Sequence, residues 1–313
     1  MKLFLDYASA KYYAGEPIIS DEEFDKLAEY HGYESVGTPV VGDRIAHAFP
    51  MWSLQKCYDD EPIISLPGGN TVKTPKLDGA AVAHYYVNGK HVLSLTRGDG
   101  KEGLDITDKM ATIVPETIAV EDQLVQITGE IVAPKTIDNA RNYAAGALNL
   151  KAVDEFKTRD LTFIAYGLTP NISNYWSEDM CLLNKWGFNT VCTSGSEFYD
   201  EFPQDGLVYR VNDYTLFQSL GHTAKHPRGA FALKERKGGV ITKLLGVDWQ
   251  VGRSGVVSPV AILEPVIIGE ATVSRATLHN IKYIQDLDLQ IGCLVEVVRA
   301  GEIIPRVVRR IYE

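Results

Sequence analysis

Two β-prone runs, Ala81-Val82-Ala83-His84-Tyr85-Tyr86-Val87 and His91 to Thr96, flank the dipeptide Asn88-Gly89. An Asn-Gly pair tolerates the positive φ angles that a two-residue turn demands, so this stretch predicts an antiparallel hairpin. That hairpin commits the middle of the chain to a sheet. Leu124 to Val132, Leu161 to Gly167, Gly206 to Val211 and Ala230 to Lys234 are further strand candidates. Helical stretches such as Glu178 to Trp186 separate them. Strands and helices alternate irregularly, which favours an α+β domain over a doubly wound parallel sheet.

The flanks read differently. Residues 1–48 are helical in pattern: Ser20-Asp21-Glu22-Glu23 forms a capping box, and Phe24, Leu27 and Ala28 follow at helical spacing. Asp21 and Asp25 are four residues apart, so their carboxylates share one helix face beside Phe24. Residues 238–313 are β-dominated. Trp249 to Gly252, Val256 to Leu263, Ala271 to Ser274, Leu294 to Arg299 and Arg306 to Tyr312 predict five strands, with a short helix at Asn280 to Leu287. Five strands and one helix in so short a segment fit an OB-type barrel. The expected organisation is a helical segment (1–48), an α+β domain (49–237) and a small barrel (238–313).

Charge follows the same division. The net charge is −10, yet residues 238–313 hold eight basic and eight acidic residues, whereas residues 1–48 hold four basic and nine acidic. An acidic balance usually opposes nucleic-acid binding, so a local footprint on the neutral last zone matters more than the sum. No uncharged apolar run approaches the ~18 residues of a membrane span. Cys57, Cys181, Cys192 and Cys293 form no CxxC pair, which excludes a zinc ribbon and argues against a disulfide framework. A reducing cytoplasm is the expected location.

The sharpest local motif is Thr74-Pro75-Lys76-Leu77-Asp78-Gly79. Pro75 favours an extended entry, which places Lys76 and Asp78 on one side of a strand ending at Gly79. Alone, this also suits a surface ion pair. Its company carries more: Pro50-Met51-Trp52-Ser53-Leu54, Thr96-Arg97-Gly98-Asp99-Gly100, Gly103-Leu104-Asp105-Ile106-Thr107, Thr128-Gly129-Glu130 and Arg141-Asn142-Tyr143-Ala144-Ala145-Gly146. Phe163 to Gly167, Asp205 to Arg210, Arg228 to Lys234, Val251 to Gly255, Ala276 to Asn280 and Arg299 to Pro305 continue the series. In content and order these blocks resemble the NAD-dependent DNA ligases, of the covalent nucleotidyltransferase superfamily, from about Tyr12 to Pro305.

The resemblance implies that 49–237 is a nucleotidyltransferase (adenylation) domain in which Lys76 takes AMP from NAD as a phosphoramidate, with Asp78 beside it. A free lysine, with a pKa near ~10.4, needs desolvation or nearby cations to become a nucleophile. By the same likeness Arg97 and Glu130 hold the ribose side, Tyr166 stacks on adenine with Arg210 on its other face, and Lys234 meets the α-phosphate. Ser53, Leu54 and Thr74 complete the nucleotide pocket. Glu130 and Asp205 are the expected ligands of Mg²⁺, which neutralises phosphate charge. Tyr12, Tyr13, Asp21, Phe24 and Asp25 would bind the nicotinamide mononucleotide (NMN) half, aromatic faces attracting the cationic ring. Nicked double-stranded DNA would meet Arg141, Arg253, Arg275 and Arg299, with Arg306 nearby, through phosphates.

Several positions depart from the family pattern. Thr74 stands where an acid usually reads the adenine amino group. Leu104 replaces an acid, Tyr13 a histidine, Phe24 a tyrosine and Arg210 a lysine; Asn149 falls where an arginine is usual, with Lys151 nearby. Fuller members continue into a zinc finger, helix-hairpin-helix repeats and a BRCT domain, so the expectation is a minimal ligase, a truncated form or one subunit that needs a second chain for sealing. Two other readings compete: an ATP- or GTP-using relative, which the acidic first zone opposes, and a degenerate module that binds nicked DNA without chemistry.

Overall fold

The computed structural model describes residues 2–13, 17–31, 44–59, 62–121, 123–193, 196–234, 239–251, 257–268, 271–300 and 304–312. It divides into two compact units, Met1–Glu235 and Arg236–Glu313, so the N-terminal helices share a unit with the sheets that follow.

The first unit begins with α1 (Lys2–Tyr13), α2 (Asp21–Tyr30), β1 (Arg44–Ala46), β2 (Gln55–Tyr58), β3 (Thr71–Leu77), β4 (Ala80–Val87), β5 (Lys90–Thr96) and β6 (Glu102–Leu104). It continues with α3 (Thr107–Met110), β7 (Leu124–Val132), α4 (Ala140–Leu148), α5 (Val153–Lys157), β8 (Thr162–Thr169), α6 (Trp176–Lys185) and β9 (Asn189–Thr190). α7 (Ser196–Asp200), β10 (Gln204–Val211), α8 (Tyr214–Leu220) and β11 (Ala230–Lys234) complete it. The anticipated hairpin is β4–β5, with Asn88 and Gly89 at φ 49° and 76°. The capping box at α2 is also present: Ser20 Oγ accepts the Glu23 N–H, and the Glu23 carboxylate accepts the Ser20 N–H at 2.8 Å.

β5-β4-β7-β8-β9 form one sheet and β2-β11-β10-β3 another, while β1 pairs with β6. Side chains alternate across β4. Val82 and Tyr86 enter a core with β7, β8 and α6; Ala83, Tyr85 and Val87 enter another with Phe4, Leu5 and Ala8 of α1 and Leu27 of α2. Burying a side chain such as Phe4 contributes roughly 1.5–3 kcal/mol, so α1 is held by the sheet as well as by its own backbone. Tyr7 adds a polar tie, its hydroxyl donating to Asp105 Oδ2 at 3.2 Å.

The second unit is a closed barrel, β12-β13-β14-β16-β15, built from β12 (Val240–Val251), β13 (Val257–Ile268), β14 (Ala271–Thr277), β15 (Leu294–Ala300) and β16 (Ile304–Ile311). α9 (Ile281–Asp286) interrupts it, with the Asn280 side chain capping its N-terminus. The five expected strands and helix are present, but β12 begins nine residues before Trp249. Val240, Thr242 and Leu244 alternate with the exposed Ile241, Lys243 and Leu245. Apolar residues on both faces conceal the period-two signal there.

Candidate active site

β3 and β4 meet at a corner that only glycine can turn. A Cβ on Gly79 would lie 2.1 Å from the Ile131 carbonyl oxygen. β3 ends at Leu77, two residues earlier than the motif suggested, and places Lys76 at its mouth. Antiparallel pairing of Thr74 with Val208 and of Val72 with Arg210 puts Lys76 and Arg210 on one sheet face. Pairing of Val208 with Ala232 brings Lys234, two residues on, to the same face. A register break between Gln204 and Leu207 frees Asp205 from the ladder.

Asp205 therefore bridges two lysines. Lys76 Nζ donates to Oδ1 at 2.7 Å and Lys234 Nζ donates to Oδ2. Burial would raise the Asp205 carboxyl, but the ammonium groups of Lys76 and Lys234 outweigh it and hold it below the usual carboxylate range. Asp78 turns elsewhere: its carboxylate lies 3.3 Å from Arg141 of α4, and its N–H donates to the Pro203 carbonyl.

The second wall comes from the five-stranded sheet. Glu130 on β7 sits opposite Ala81 and accepts the Gly79 N–H at 3.3 Å. Burial pushes its carboxyl up to about 7, against the opposing pull of Lys76, that hydrogen bond and Arg97. Arg97 is exposed at the end of β5, its N–H held by the Ala81 carbonyl. Tyr166 is half-buried on β8; burial and then the Glu130 charge raise its phenol. Lys76, Glu130, Arg97 and Tyr166 thus share one electrostatic neighbourhood.

The other expected pocket residues have surroundings of their own. Thr74 is buried and Leu54 half-buried. Ser53 Oγ donates to the Lys225 carbonyl at 3.1 Å and lies 3.0 Å from His226 Nδ1, while Trp52 stacks on His222. Arg210 lies with its guanidinium 3.9 Å from the Phe217 ring centre and 5.7 Å from that of Trp176, and burial lowers it to about 10. Trp176 also donates to the Tyr166 carbonyl at 3.0 Å, so it touches both residues expected to flank adenine. Trp176 went unnoticed in the sequence because one tryptophan in an amphipathic helix gives no signal beyond core.

Of the expected NMN residues only Phe24 has a described side chain, and its helix, α2, packs at the hairpin end of β4. Ser20, Glu23, Lys26 and Leu27 line a pocket with Val87, Asn88 and Gln123, at the hairpin end of β4. The Glu130 carboxylate lies at the opposite end, about 20 Å away at ~3.3 Å per strand residue. Phe24 packs half-buried beside the second core. The side chains of Tyr12, Tyr13, Asp21 and Asp25 lie outside the described residues.

In the barrel, Arg253 and the Arg299 side chain also lie outside the described residues. Arg275 is exposed and paired with Asp248, and Arg306 is half-buried. Among the described residues no cluster of three or more carboxylate, histidine or cysteine side chains has metal-site geometry. No helix there is long and apolar enough to cross a membrane.

Comparison with known proteins finds a match in each unit. The NAD-dependent DNA ligase adenylation domain matches residues 42–199, and the NAD-dependent DNA ligase OB-fold domain matches residues 241–313. A DNA ligase of Alcanivorax borkumensis is 34% identical over 98% of this chain and 48% of its own length. DNA ligases of Methylacidiphilum infernorum (32% identical, 98% of this chain, 54% of its own) and Campylobacter jejuni (33%, 96% and 55%) align similarly. The chain spans about half the length of the curated relatives it matches. With adenylation and OB-fold domains matched in order, the chain belongs to the NAD-dependent DNA ligase family.

Proposed function

We propose that this chain is the catalytic core of a DNA ligase that uses NAD. The Lys76–Asp205–Lys234 bridge beside Glu130 carries the reading, because it gathers a nucleophile and phosphate-binding cations on one face. In the first step Lys76 Nζ leaves Asp205, sheds a proton and attacks the α-phosphorus of NAD. A P–N bond forms, and the P–O bond to NMN breaks with its electron pair. The 5′-phosphate of a nick then takes the AMP from Lys76, and the 3′-hydroxyl displaces AMP to close the phosphodiester.

Within this scheme Lys234 neutralises the α-phosphate, Arg97 and Glu130 hold the ribose side, and Tyr166 and Arg210 flank the adenine. Ser53, Leu54 and Thr74 line the same pocket. Tyr12, Tyr13, Asp21, Phe24 and Asp25 take the NMN half only after α2 and the site come together. Asp205 and Glu130 would hold Mg²⁺ together with substrate phosphates and water, the usual mode for this cation. Bound there, it would screen phosphate charge. Nicked duplex meets the barrel arginines and Arg141 through phosphates, so its affinity falls with salt. The cytoplasm is the proposed site of action.

Intact-mass spectrometry after exposure to NAD tests the proposal: one adenylyl group adds to the parent and none to Lys76→Ala. Equal labelling from ATP or GTP would overturn the assignment of donor. Sealing of a singly nicked duplex by this chain alone separates a self-sufficient core from a subunit that needs a second chain.

A further inference from the structure

His47 immediately follows β1 and is buried, although it belongs to none of the groups assigned to nucleotide or DNA. Its Nε2 lies 3.0 Å from the Arg97 carbonyl oxygen and its Nδ1 lies 2.7 Å from the Tyr85 hydroxyl. A carbonyl only accepts, so Nε2 carries the proton. In the neutral ring Nδ1 then accepts from Tyr85, whose oxygen in turn accepts the Ala48 N–H. Burial lowers the imidazole's proton affinity, in keeping with a neutral ring.

The same carbonyl accepts the Gly100 N–H at 2.9 Å, so both acceptor sites of the Arg97 carbonyl are filled. The His47 N–H donates to the Lys101 carbonyl at 2.8 Å, and the Met51 N–H donates to Gly100 at 2.9 Å. The segment running toward Ser53 and Leu54 is therefore fastened across the turn that begins at Arg97. Beneath it, Tyr85 stacks on Phe4 of α1 with ring centres 6.1 Å apart. A hydrophobic side chain would fill this space without a polar group to satisfy, yet the chain places here a donor aimed at one carbonyl.

We propose that His47 is a positioning residue: as its Nε2–H tautomer, oriented by Tyr85, it fixes the turn that presents Arg97 to the nucleotide. The inference rests on the reading of Arg97 as a nucleotide contact. Glutamine and asparagine separate the two ring nitrogens. His47→Gln sets an amide nitrogen near the position of Nε2 and keeps the donor to Arg97. His47→Asn reaches only toward Tyr85 and loses that donor.

The test measures Lys76 adenylation at increasing NAD, with the melting temperature of each variant recorded alongside. His47→Asn should raise KM for NAD about tenfold, the equivalent of one hydrogen bond, without lowering the fraction of enzyme adenylated at saturation. His47→Gln should recover most of that loss. Tyr85→Phe, which leaves Nδ1 without its donor and the ring less firmly oriented, should raise KM by about threefold and gives a second measurement if His47→Asn does not fold. The proposal is overturned if His47→Asn and His47→Gln have the same KM, or if both lose only melting temperature and active fraction. Arg97→Ala is the control. Should it leave KM unmoved, the nucleotide reading of Arg97 fails whatever His47 does; should it raise KM while His47→Asn does not, only the positioning role fails.

Discussion

Both units pair basic side chains with carboxylates, but they do so in different media. At the β3 corner the Asp205 side chain is 11% exposed and serves two lysines. On the barrel, Arg275 and Asp248 are 50% and 42% exposed, and Arg309 with Glu296 and Arg310 with Asp288 make further pairs. Screening leaves an exposed pair worth at most about 1 kcal/mol, whereas breaking a buried one strands a charge at about 3–5 kcal/mol. The contrast teaches where the molecule stores charge for chemistry and where it merely keeps a surface soluble.

Removing the carboxylate charge from the first unit should have the largest effect. Asp205→Asn keeps the shape but leaves Lys76 and Lys234 without their shared counter-ion. The rate of adenylation at saturating NAD should fall about 10²–10³-fold, as when one preorganised electrostatic partner is lost. A rate within threefold of the parent would mean that the bridge is incidental.

Glu130 sharpens the comparison from the other direction, because its burial is a cost. Its carboxyl loses a proton near 4.5 in the unfolded chain and near 7 in the folded one. Between those values the folded state binds more protons, so the stability gained from holding that proton is complete below 4.5 and is lost as pH rises through 7. Glu130→Gln removes this dependence. It should be more stable than the parent by ~3 kcal/mol at pH 8 and nearly equal at pH 4, measured by urea unfolding. A constant difference across pH would refute the buried, raised carboxyl.

Much of this was legible before any coordinates. The Asn88-Gly89 hairpin, the β7 and β11 runs and the Ser20–Glu23 capping box declare themselves through turn chemistry and short-range hydrogen bonding, which local sequence encodes. The lysine and its neighbours were legible through their blocks. What stayed hidden depends on long-range register. Asp205 owes its place between both lysines to the slip between Gln204 and Leu207, which no local pattern encodes. His47 and Trp176 each meet a backbone carbonyl of another element, at Arg97 after β5 and at Tyr166 on β8, and no periodicity announces such a bond. The placement of α2 at the hairpin end of β4 follows from packing of Leu27, which the amphipathic pattern demands without naming the surface.

Glycines extend the contrast between the units. Gly79→Ala would drive a Cβ against the Ile131 backbone, and should cost about 2–3 kcal/mol as overpacking without a flexible neighbour to yield. Gly292, in the barrel, has φ +93° but nothing within 4 Å of a built Cβ. Gly292→Ala should therefore cost only backbone strain, roughly 1 kcal/mol. Denaturant titration of the two variants checks the order; a larger loss at Gly292 would show that conformational strain outweighs steric contact.

The smallest effect belongs to the exposed barrel pair. If Arg275 meets a DNA phosphate, it must first leave Asp248, and the exchange of one anion for another brings little net energy at physiological salt. Arg275→Ala should change barrel stability by less than ~0.5 kcal/mol. Binding to nicked duplex should weaken equally for every sequence tested, and the slope of log affinity against log salt should shrink by about one phosphate contact. Asp248→Asn frees the arginine and should move affinity the opposite way. If both variants weaken binding, the pair acts as a structural unit and the phosphate contact lies on another residue.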